Sequence, residues 1–437
     1  MSDDSAEVMM ALPEGWEWTT LGEVAPVRRK PPGLPARKSV AFVPMALISE
    51  RGSTISTFET RDGTSVNGTY FEEGDLLLSR ITPSFENGKQ GIVLDVPGGY
   101  GYATTEVYPL NCSVEIAPDF LNMMLRSQGV RRALIPMMAG ATGRMRLPER
   151  VVEGFRIPLP PRREQALIIK AIGEEFGRLD AIEKELDGVD LLMEQFRNAL
   201  LRDAFSGHLV LPHAEPDGER VDSNGRPELP QRWEWRTLGD LCDRPAYGWT
   251  TRASQEGAVK LLRTTDITNG PISWPDVPCC EVAPDDLQRY GLRAGDLVIS
   301  RTGAGAGSSA LISTEPPSPT AFASYLIRFR PQQDVSSNFL AYFLSSHGFW
   351  AQVAATASGL KKNINATKLS AIQVPVPSLA EQELIVAALD VELSRLDGVR
   401  AVAGEARIDL TRIRDSVLHR AFIGQLVATT QADGDQA

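Results

Sequence analysis

Two stretches of this 437-residue chain concentrate basic side chains and contain neither Asp nor Glu. Residues 120–148 include five arginines, which are Arg126, Arg131, Arg132, Arg144 and Arg146. Residues 335–380 include three lysines, which are Lys361, Lys362 and Lys368. In a protein with 56 acidic residues and a formal net charge of −11, such segments favour the binding of phosphate groups. A solvated polar loop is the competing interpretation of either stretch taken alone.

Motifs for catalysis are missing from the sequence. It has neither a GxxxxGK[ST] phosphate loop nor an HExxH zinc motif, and its four cysteines show no CxxC spacing. The four histidines have no nucleophile nearby in the sequence, so we expect solvated or hydrogen-bonded side chains rather than bases. The run RTGAGAGSS lacks the lysine of a nucleotide loop, which favours a loop joining two strands. We therefore predict a non-catalytic chain without metal or cofactor.

The elements that must position the basic residues occur twice. LPEGWEWTTLGEV at position 12 returns as LPQRWEWRTLGDL at position 229, with eight of thirteen residues identical. GDLLLSR at position 74 returns as GDLVISR at 295, and LLRDAFSGHLV at 200 returns as VLHRAFIGQLV at 417. The offset is 217 residues at the first and last motifs but 221 at the middle one. Each copy therefore joins a domain that tolerates insertions to an element that permits none.

That second element has a heptad pattern. One set of core positions is Ile172, Leu179, Leu186, Met193 and Leu200, with Leu389, Leu396, Ala403, Leu410 and Val417 in the second copy. The other set is Ile168, Glu175, Ile182, Val189 and Phe196, with Ile385, Glu392, Val399, Ala406 and Ile413. Apolar residues alternating at spacings of three and four are typical of a coiled coil. The natural partner of each helix is its own repeat.

The front part of each copy predicts an α+β domain. Short apolar runs alternate with Gly, Pro and Asn turns and lead into a helical patch, a pattern that indicates a mostly antiparallel or mixed sheet. We expect the paired tryptophans, Trp16 with Trp18 and Trp233 with Trp235, to anchor a first strand on the core, base stacking being the alternative.

These patterns predict seven segments. They are a disordered tail at 1–11, a domain at 12–158, a helical spacer at 159–210, a linker at 211–228, a second domain at 229–375, a second spacer at 376–427 and a tail at 428–437. No apolar run approaches the roughly 18 residues of a membrane span, and the first residues are acidic rather than signal-like. We expect a soluble, cytoplasmic protein.

The order of these motifs resembles one family. A WEWxxLG[ED] start, a GDLxxSR strand, a Gly-containing basic loop, and PxPxxxEQ leading into a long helix that ends in AFxGxL are all repeated once. This arrangement is similar to the DNA-specificity subunit of type I restriction-modification systems, from residue 12 to residue 427. The resemblance implies two target-recognition domains, each of which reads half of an asymmetric bipartite site in double-stranded DNA. Two long helices in an antiparallel coiled coil would hold these domains apart.

The same resemblance implies partners that carry the chemistry. The coiled coil of the family docks two methyltransferase subunits, and motor-nuclease restriction subunits join that core. Adenine methylation and ATP-driven cleavage, with their S-adenosylmethionine, ATP and Mg, would therefore belong to those subunits. The coiled-coil and partner interface is expected at Ile172, Leu179, Leu186, Met193, Leu200, Leu389, Leu396, Leu410 and Ile413.

Candidate DNA contacts follow from the loops that match family positions near DNA. ITPSFENGKQGIV resembles a pattern of the family's recognition domains, whereas the second copy has RTGAGAGSSALI there. GRMRLPERV and LKKNINATKL match the loop position expected near DNA. The candidates for phosphate or base contacts are Arg80, Asn87, Lys89, Arg144, Arg146, Arg301, Lys361, Lys362 and Asn363. The alternative function is a scaffold with two protein-binding modules on a coiled-coil spacer, against which the two basic stretches weigh.

Overall fold

The structure is a computed structural model, which describes residues 12–35, 37–141, 143–210, 228–268, 271–281, 284–303, 305–317, 319–356 and 363–427. The chain divides into two compact units. The first unit comprises Met1–Leu186 and Gly404–Ala437, and the second comprises Asp187–Ala403. In the described part of the chain, no helix combines the length and the apolar composition that a membrane crossing requires.

The first unit contains short strands in four sheets. The strands are β1 (Glu17–Thr20), β2 (Val40–Val43), β3 (Thr54–Ile55), β4 (Glu59–Arg61), β5 (Thr69–Glu72), β6 (Leu76–Ser79), β7 (Gln90–Val93), β8 (Tyr100–Ala103), β9 (Val107–Leu110), β10 (Ala139–Ala141), β11 (Arg144–Arg146) and β12 (Arg156–Leu159). Two four-stranded sheets have the orders β4-β2-β8-β5 and β3-β7-β6-β9, and β1-β12 and β10-β11 are two-stranded. Parallel β2-β8 and β3-β7 pairs make the larger sheets mixed.

The second unit also contains short strands. They are β13 (Glu234–Thr237), β14 (Ala246–Tyr247), β15 (Val259–Leu262), β16 (Cys279–Cys280), β17 (Leu297–Ser300), β18 (Ser309–Leu311), β19 (Thr320–Phe322), β20 (Leu326–Phe329) and β21 (Gln373–Val376). The sheet orders are β14-β20-β17-β18, β16-β15-β19 and β13-β21.

Most helices are short. They are α1 (Leu21–Val24), α2 (Pro118–Arg126), α3 (Gln128–Leu134), α4 (Glu149–Glu153), α5 (Arg162–Phe205), α6 (Leu238–Leu241), α7 (Pro284–Tyr290), α8 (Ser337–Ser345), α9 (His347–Thr356), α10 (Ala366–Ser370) and α11 (Leu379–Phe422). Single 3-10 turns lie at Met45–Leu47, Ile135–Met137 and Thr264–Asp266. This mixture of strands and helices confirms the predicted α+β class.

Each WEW motif lies on a strand that pairs with the strand before a long helix. β1 is antiparallel to β12, and β13 is antiparallel to β21 in the equivalent register. The first tryptophan of each motif is buried, with Trp16 8% exposed and Trp233 6% exposed. Trp18 is 36% exposed, with the Arg156 guanidinium 5.4 Å from its ring centre. Only the first tryptophan of each pair therefore anchors its strand in the core as the sequence predicts.

The GDL motifs form a turn and a core strand. Gly74 and Gly295 have φ of 89° and 86°, a left-handed conformation that costs glycine little. The following aspartates are buried, and each accepts a backbone N–H three residues earlier, Glu72 to Asp75 Oδ2 at 2.8 Å in the first unit. β6 and β17, which follow these turns, are buried along their whole length.

Both buried aspartates pair with arginine, although the arginine comes from different places. Asp75 is bound by Arg28, Nε at 2.5 Å and Nη2 at 2.8 Å, from the segment after α1. Asp296 is bound by Arg330, Nε at 2.7 Å and Nη2 at 2.9 Å, from the residue after β20. Burial of a carboxylate requires such pairing, because an isolated charge loses its hydration. In both copies the buried aspartate is thus paired with an arginine, but that arginine comes from a different segment of the chain.

The PxPxxxEQ motifs fasten each long helix to its sheet domain. Gln165, fully buried, accepts the backbone N–H of Ala117 at 2.7 Å and donates to the carbonyls of Glu115 and Pro160. Gln382 accepts the N–H of Ser336 at 2.9 Å and donates to Pro377. One amide side chain thus fixes the start of the long helix against the segment that precedes α2 or α8.

The two long helices, α5 and α11, are 44 residues each and start and end 217 residues apart. Within the first unit, Ile168 and Ile172 of α5 share a core with Val417, Leu418, Ala421 and Phe422 of α11. Farther along α5, Asp180 and Glu183 bind Arg414, at 2.5 and 2.9 Å. Since α11 numbers fall as α5 numbers rise, these segments run antiparallel. Within the second unit, Leu200 and Leu201 share a core with Ile385 and Leu389 in the same sense.

The tip of each long helix completes a core. In the first unit, the Phe422 ring meets that of Phe120 edge-on at 5.4 Å. In the second unit, Phe205 meets Phe339 and Phe343, both at 5.3 Å. Phe205 and Phe422 are the phenylalanines of the repeated AFxGxL motif. The helix that leaves one domain therefore ends in the core of the other.

The two heptad sets differ in burial. Positions of the first set are mostly buried, among them Ile172, Leu179, Met193, Leu389 and Leu410. The second set is buried at its first positions, Ile168 and Ile385, and about half-exposed farther along, with Ile182 49%, Phe196 48%, Val399 45% and Ile413 47% exposed. Leu186 and Leu396 are of intermediate exposure. The periodic pattern in the sequence therefore includes one buried stripe and one that still offers apolar surface.

The Asp296 pair can be tested for its contribution to stability. We expect Asp296→Ala to lower the free energy of unfolding by about 3 kcal/mol, because Arg330 and the Arg293 N–H both lose their acceptor in a buried place. Asp409→Ala, which breaks the exposed pair of Asp409 with Arg412, should leave stability unchanged. Urea unfolding, with hydrogen exchange of β17, measures both. Equal effects of the two substitutions would contradict a stabilising role of the buried pair.

Candidate nucleic-acid interface

The basic loop of the first unit is a small exposed hairpin. β10 and β11 pair antiparallel, with Ala141 opposite Arg144 and Ala139 opposite Arg146. Gly140 and Gly143 have φ of 140° and 83°, and a Cβ on Gly140 would lie 2.7 Å from the Arg144 carbonyl oxygen. Because side chains alternate along a strand, Arg144 and Arg146 project to the same side. Glycine at two places thus allows a tight hairpin that presents two arginines together.

The hairpin is fastened by backbone to the end of the GDLLLSR strand. Ile81 forms a bridge with Arg146, and Thr82 N donates to Met145 O at 3.0 Å. Leu147 N donates to Arg80 O at 2.7 Å. The chain segments that carry Arg80 and Arg146 are therefore held side by side, although they are distant in sequence.

Glu106 binds both of these arginines. Its carboxylate accepts Arg146 Nε at 2.9 Å and Nη2 at 2.5 Å, and lies 3.5 Å from Arg80 Nε. The hydrogen bond from Arg146, helped by the charges of both arginines, holds the pKa of Glu106 below its usual value. Glu106 is thus ionised at neutral pH and forms the centre of an Arg80–Glu106–Arg146 cluster.

Tyr108 supports Arg80 from beneath. The Arg80 guanidinium lies 5.1 Å from the Tyr108 ring centre, and its Nη1 donates to the phenol oxygen at 3.1 Å. The phenol in turn donates to Leu147 O at 3.0 Å. This stacking and bonding fixes the direction of Arg80, which remains 30% exposed.

Asn87 and Lys89 lie in a different place from the cluster. Asn87 Nδ2 donates to Glu50 Oε1 at 3.2 Å, and Lys89 Nζ donates to Met45 O at 3.1 Å. Both side chains therefore contact the 45–50 segment of their own unit. The ITPSFENGK loop contributes to the cluster only through its first residues.

Two arginines of the basic stretch are structural. Arg126 donates to the carbonyls of Glu50, Gly52 and Gln90. Arg131, 7% exposed, donates to Phe85 O and Gln90 Oε1. Burial, together with the charge of Arg126, lowers the pKa of Arg131 to about 10. The interpretation of the whole 120–148 stretch as a phosphate-facing surface is therefore too broad, because these two side chains hold the 82–90 loop from inside.

The second unit has equivalent backbone contacts between the end of the GDL strand and the loop that follows the helices. We call this set of contacts, with the arginine that it positions, the arginine frame. Thr302 bridges Asn363 as Ile81 bridges Arg146, and Ile364 N donates to Arg301 O at 2.9 Å. The Arg301 guanidinium lies 5.2 Å from the ring centre of Tyr247, whose phenol oxygen accepts the N–H of Ala366 at 3.0 Å. Arg301 and Asn363 are thus brought together. Lys361 and Lys362 lie outside the described residues.

The two frames carry different side chains at the central position. Arg80 N donates to the Glu106 carbonyl, and Arg301 N donates to the Tyr325 carbonyl, both at 3.0 Å. Tyr325, 59% exposed, therefore occupies the place of Glu106. Asn363 likewise occupies the place of Arg146. The backbone contacts are thus the same in both units, whereas the side chains at these two positions differ in charge and hydrogen-bonding groups.

The GAGAGSS run is a connection between strands, as the sequence predicts. Ser300 N donates to Ser308 O and Gly307 N donates to Ser300 O, both at 2.8 Å, which joins β17 to β18. Among the residues that the structure describes, no group of three or more His, Cys, Asp or Glu side chains could hold a metal ion.

Comparison with known proteins agrees with this architecture. The family model described as type I restriction modification DNA specificity domain matches residues 230–396. The EcoAI specificity subunit of Escherichia coli is 24% identical over 94% of this chain and 83% of its own length. The EcoEI specificity subunit of the same organism is 24% identical over 87% of this chain and 78% of its own.

The chain is thus similar to type I specificity subunits along most of its length, and residues 230–396 match the DNA specificity domain of such systems.

Solved structures show the same fold. The HsdS subunit from Thermoanaerobacter tengcongensis superposes with a TM-score of 0.54 at 22% identity, covering 95% of this chain and 98% of that one. A chain from a study of complex assembly and conformational transition of the type I R-M system gives 0.67 at 21%, covering 95% and 99%. At identities of 21% and 22%, these likenesses show a shared fold.

The sequence did not point to Glu106, Tyr108, Tyr247 or Tyr325 as residues of these sites. The equivalence of Glu106 and Tyr325 could have been found from the sequence. The 219-residue offset that aligns Phe120-Leu121 with Phe339-Leu340 also aligns these two residues. No offset between the copies aligns the two tyrosines that contact the arginines, because Tyr108 follows Arg80 in the chain whereas Tyr247 precedes Arg301.

Adjacent arginines of the basic stretch provide a direct test. We expect Arg131→Met to lower the free energy of unfolding by about 2 kcal/mol, because Phe85 O and Gln90 lose a charged donor within the core. Arg132→Met removes an exposed side chain and should leave stability unchanged. Thermal melting of the purified chain compares them. Equal melting temperatures for both variants would show that Arg131 is dispensable for the fold.

Proposed function

We propose that this chain recognises an asymmetric bipartite site in double-stranded DNA and directs adenine-methyltransferase and restriction subunits to it. The observation that carries the proposal is the repeated arginine frame. Arg80 and Arg301 occupy equivalent places, each stacked on a tyrosine and each fixed through its carbonyl to the segment after the basic loop. Arginine presents a planar fork of donors that suits guanine edges and phosphates.

The asymmetry of the target follows from the difference between the frames. The first recognition domain, 12–158, has Glu106 and Arg146 where the second, 229–375, has Tyr325 and Asn363. Arginine favours guanine and asparagine favours adenine in bidentate contacts. Two domains with unlike side chains on one frame would therefore read unlike half-sites. Asn87, Lys89, Arg144, Lys361 and Lys362 complete our set of candidate contacts.

The long helices supply the spacing in this proposal. We infer that α5 and α11 form one antiparallel coiled coil, which is supported by the antiparallel packing of their segments within each unit and by their equal length of 44 residues. A helix rises about 1.5 Å per residue, so a rod of about 65 Å would set the distance between half-sites. Insertion of a single residue would rotate one domain by about 100° relative to the DNA.

The docking surface for methyltransferase subunits is expected along the exposed heptad stripe. Ile182 corresponds to Val399 and Phe196 corresponds to Ile413, and all four are nearly half-exposed. An apolar stripe that recurs in both copies provides two equivalent sites, which fits two methyltransferase subunits.

Recognition is tested by co-expressing the chain with its methyltransferase and mapping N6-methyladenine across the host DNA. We expect one asymmetric bipartite motif that is absent when this chain is omitted. Methylation that is missing, or identical without the chain, would favour a scaffold that binds only protein.

Docking is tested by making Phe196→Ser and Ile413→Ser together. Since both side chains are half-exposed, we expect a folded chain with at least tenfold weaker binding to the methyltransferase, measured by calorimetry. Val402→Ser is the control, because Val402 is 66% exposed but corresponds to Glu185 in the other copy. Unchanged affinity of the double variant would exclude this stripe as the docking surface.

A further inference from the structure

The Arg80–Glu106–Arg146 cluster is a built arrangement rather than a chance surface pair. Its two arginines come from segments that backbone hydrogen bonds join, and its glutamate lies on the turn between β8 and β9. The Glu106 side chain is only 23% exposed, whereas that of Arg146 is 41% exposed. The acid therefore sits behind the arginine, and the arginine faces outward.

The geometry of the Arg146 contact leaves a recognition edge open. A guanidinium has five N–H donors. Glu106 accepts the Nε donor and one donor of Nη2, which lie along one edge of the planar guanidinium. The remaining donors are on Nη1 and the outer side of Nη2, and together they form a second fork at the tip. That fork matches the O6 and N7 acceptors of guanine in the major groove.

We propose that Glu106 is a specificity-determining positioning residue, which orients Arg146 so that the tip of its guanidinium reads a guanine in the half-site of the first domain. This inference rests on the proposed function. Glu106 acts through Arg146 and does not itself contact DNA.

The charge of Glu106 supports positioning over phosphate binding. A carboxylate next to a phosphate-binding arginine cancels attraction to the DNA backbone, so it is a disadvantage for affinity alone. It is an advantage for base reading, because a long side chain held by a bidentate contact loses less freedom on binding and cannot turn to a phosphate. The second domain has Tyr325 at this place and Asn363 at the reading position, so there the same frame serves an uncharged amide.

The test compares three variants as full chains in complex with the methyltransferase. Glu106→Gln removes the bidentate acceptor, and Arg146→Lys keeps the charge but removes the fork. Glu59→Gln is the matched control, since Glu59 is also bound to an arginine, Arg61 at 2.8 Å, but on β4 of the same domain. The readouts are the methylated motif and the affinity for cognate and scrambled duplexes at several salt concentrations.

We expect both cluster variants to relax the motif at one guanine position of one half-site, with about a tenfold to hundredfold loss of discrimination there. Binding of the scrambled duplex should be unchanged in Arg146→Lys and equal or tighter in Glu106→Gln, because the latter removes a negative charge. Asn363→Ala should instead change the other half-site. Glu59→Gln should behave as the unaltered chain.

Two results would overturn the inference. An unchanged motif in both cluster variants would show that Arg146 reads no base. A proportional loss of affinity for cognate and scrambled duplexes, with a shallower salt dependence, would assign Arg146 to phosphate and Glu106 to structure. Failure of the proposed function is distinguishable from either, since the unaltered complex would then show no chain-dependent motif.

Discussion

The fold depends on an exchange of helix ends between the two copies of the repeat. Phe205, at the end of the helix that leaves the first domain, packs on Phe339 and Phe343, and Phe422 packs on Phe120. Neither sheet domain fills its own core without an aromatic ring from the other copy. Loss of such a ring from a core costs several kcal/mol, so the register of the long helices is set by burial at both ends as well as by the heptads between them.

This constraint explains where the chain tolerates change. The offset between copies varies from 217 to 221 within the sheet domains and returns to 217 along the helices, which start and end at equivalent residues. An inserted residue in a surface loop alters only that loop, whereas one in α5 would pull Phe205 out of its core by 1.5 Å and turn it by about 100°. The buried Gln165 and Gln382 fix the other end of each helix.

Periodicity and repetition in the sequence predict the helices, the pairing of the copies and the class of the domains, because these depend on spacing, which a sequence displays directly. Which basic residues belong to a site depends on where each side chain points in the folded domain, and the sequence does not display this. Arg131 and Arg132 are equivalent by composition, yet one points to the carbonyl of Phe85, 46 residues away in the chain, and the other lies exposed. Likewise, Glu106 and Arg80 both lie outside the acid-free stretch 120–148, so counting charges along the sequence finds Arg146 but not the two residues that form its cluster.

In our proposal, one backbone frame serves two specificities. The contacts that fasten the basic loop are made by backbone atoms, Leu147 N to Arg80 O and Ile364 N to Arg301 O, and such contacts survive almost any change of side chain. Side chains at the central and reading positions are then free to vary without disturbing the fold. Under the same proposal, an arginine at the reading position is held by an acid. Where asparagine occupies that position, its short side chain needs no such support, and the central position can carry a tyrosine.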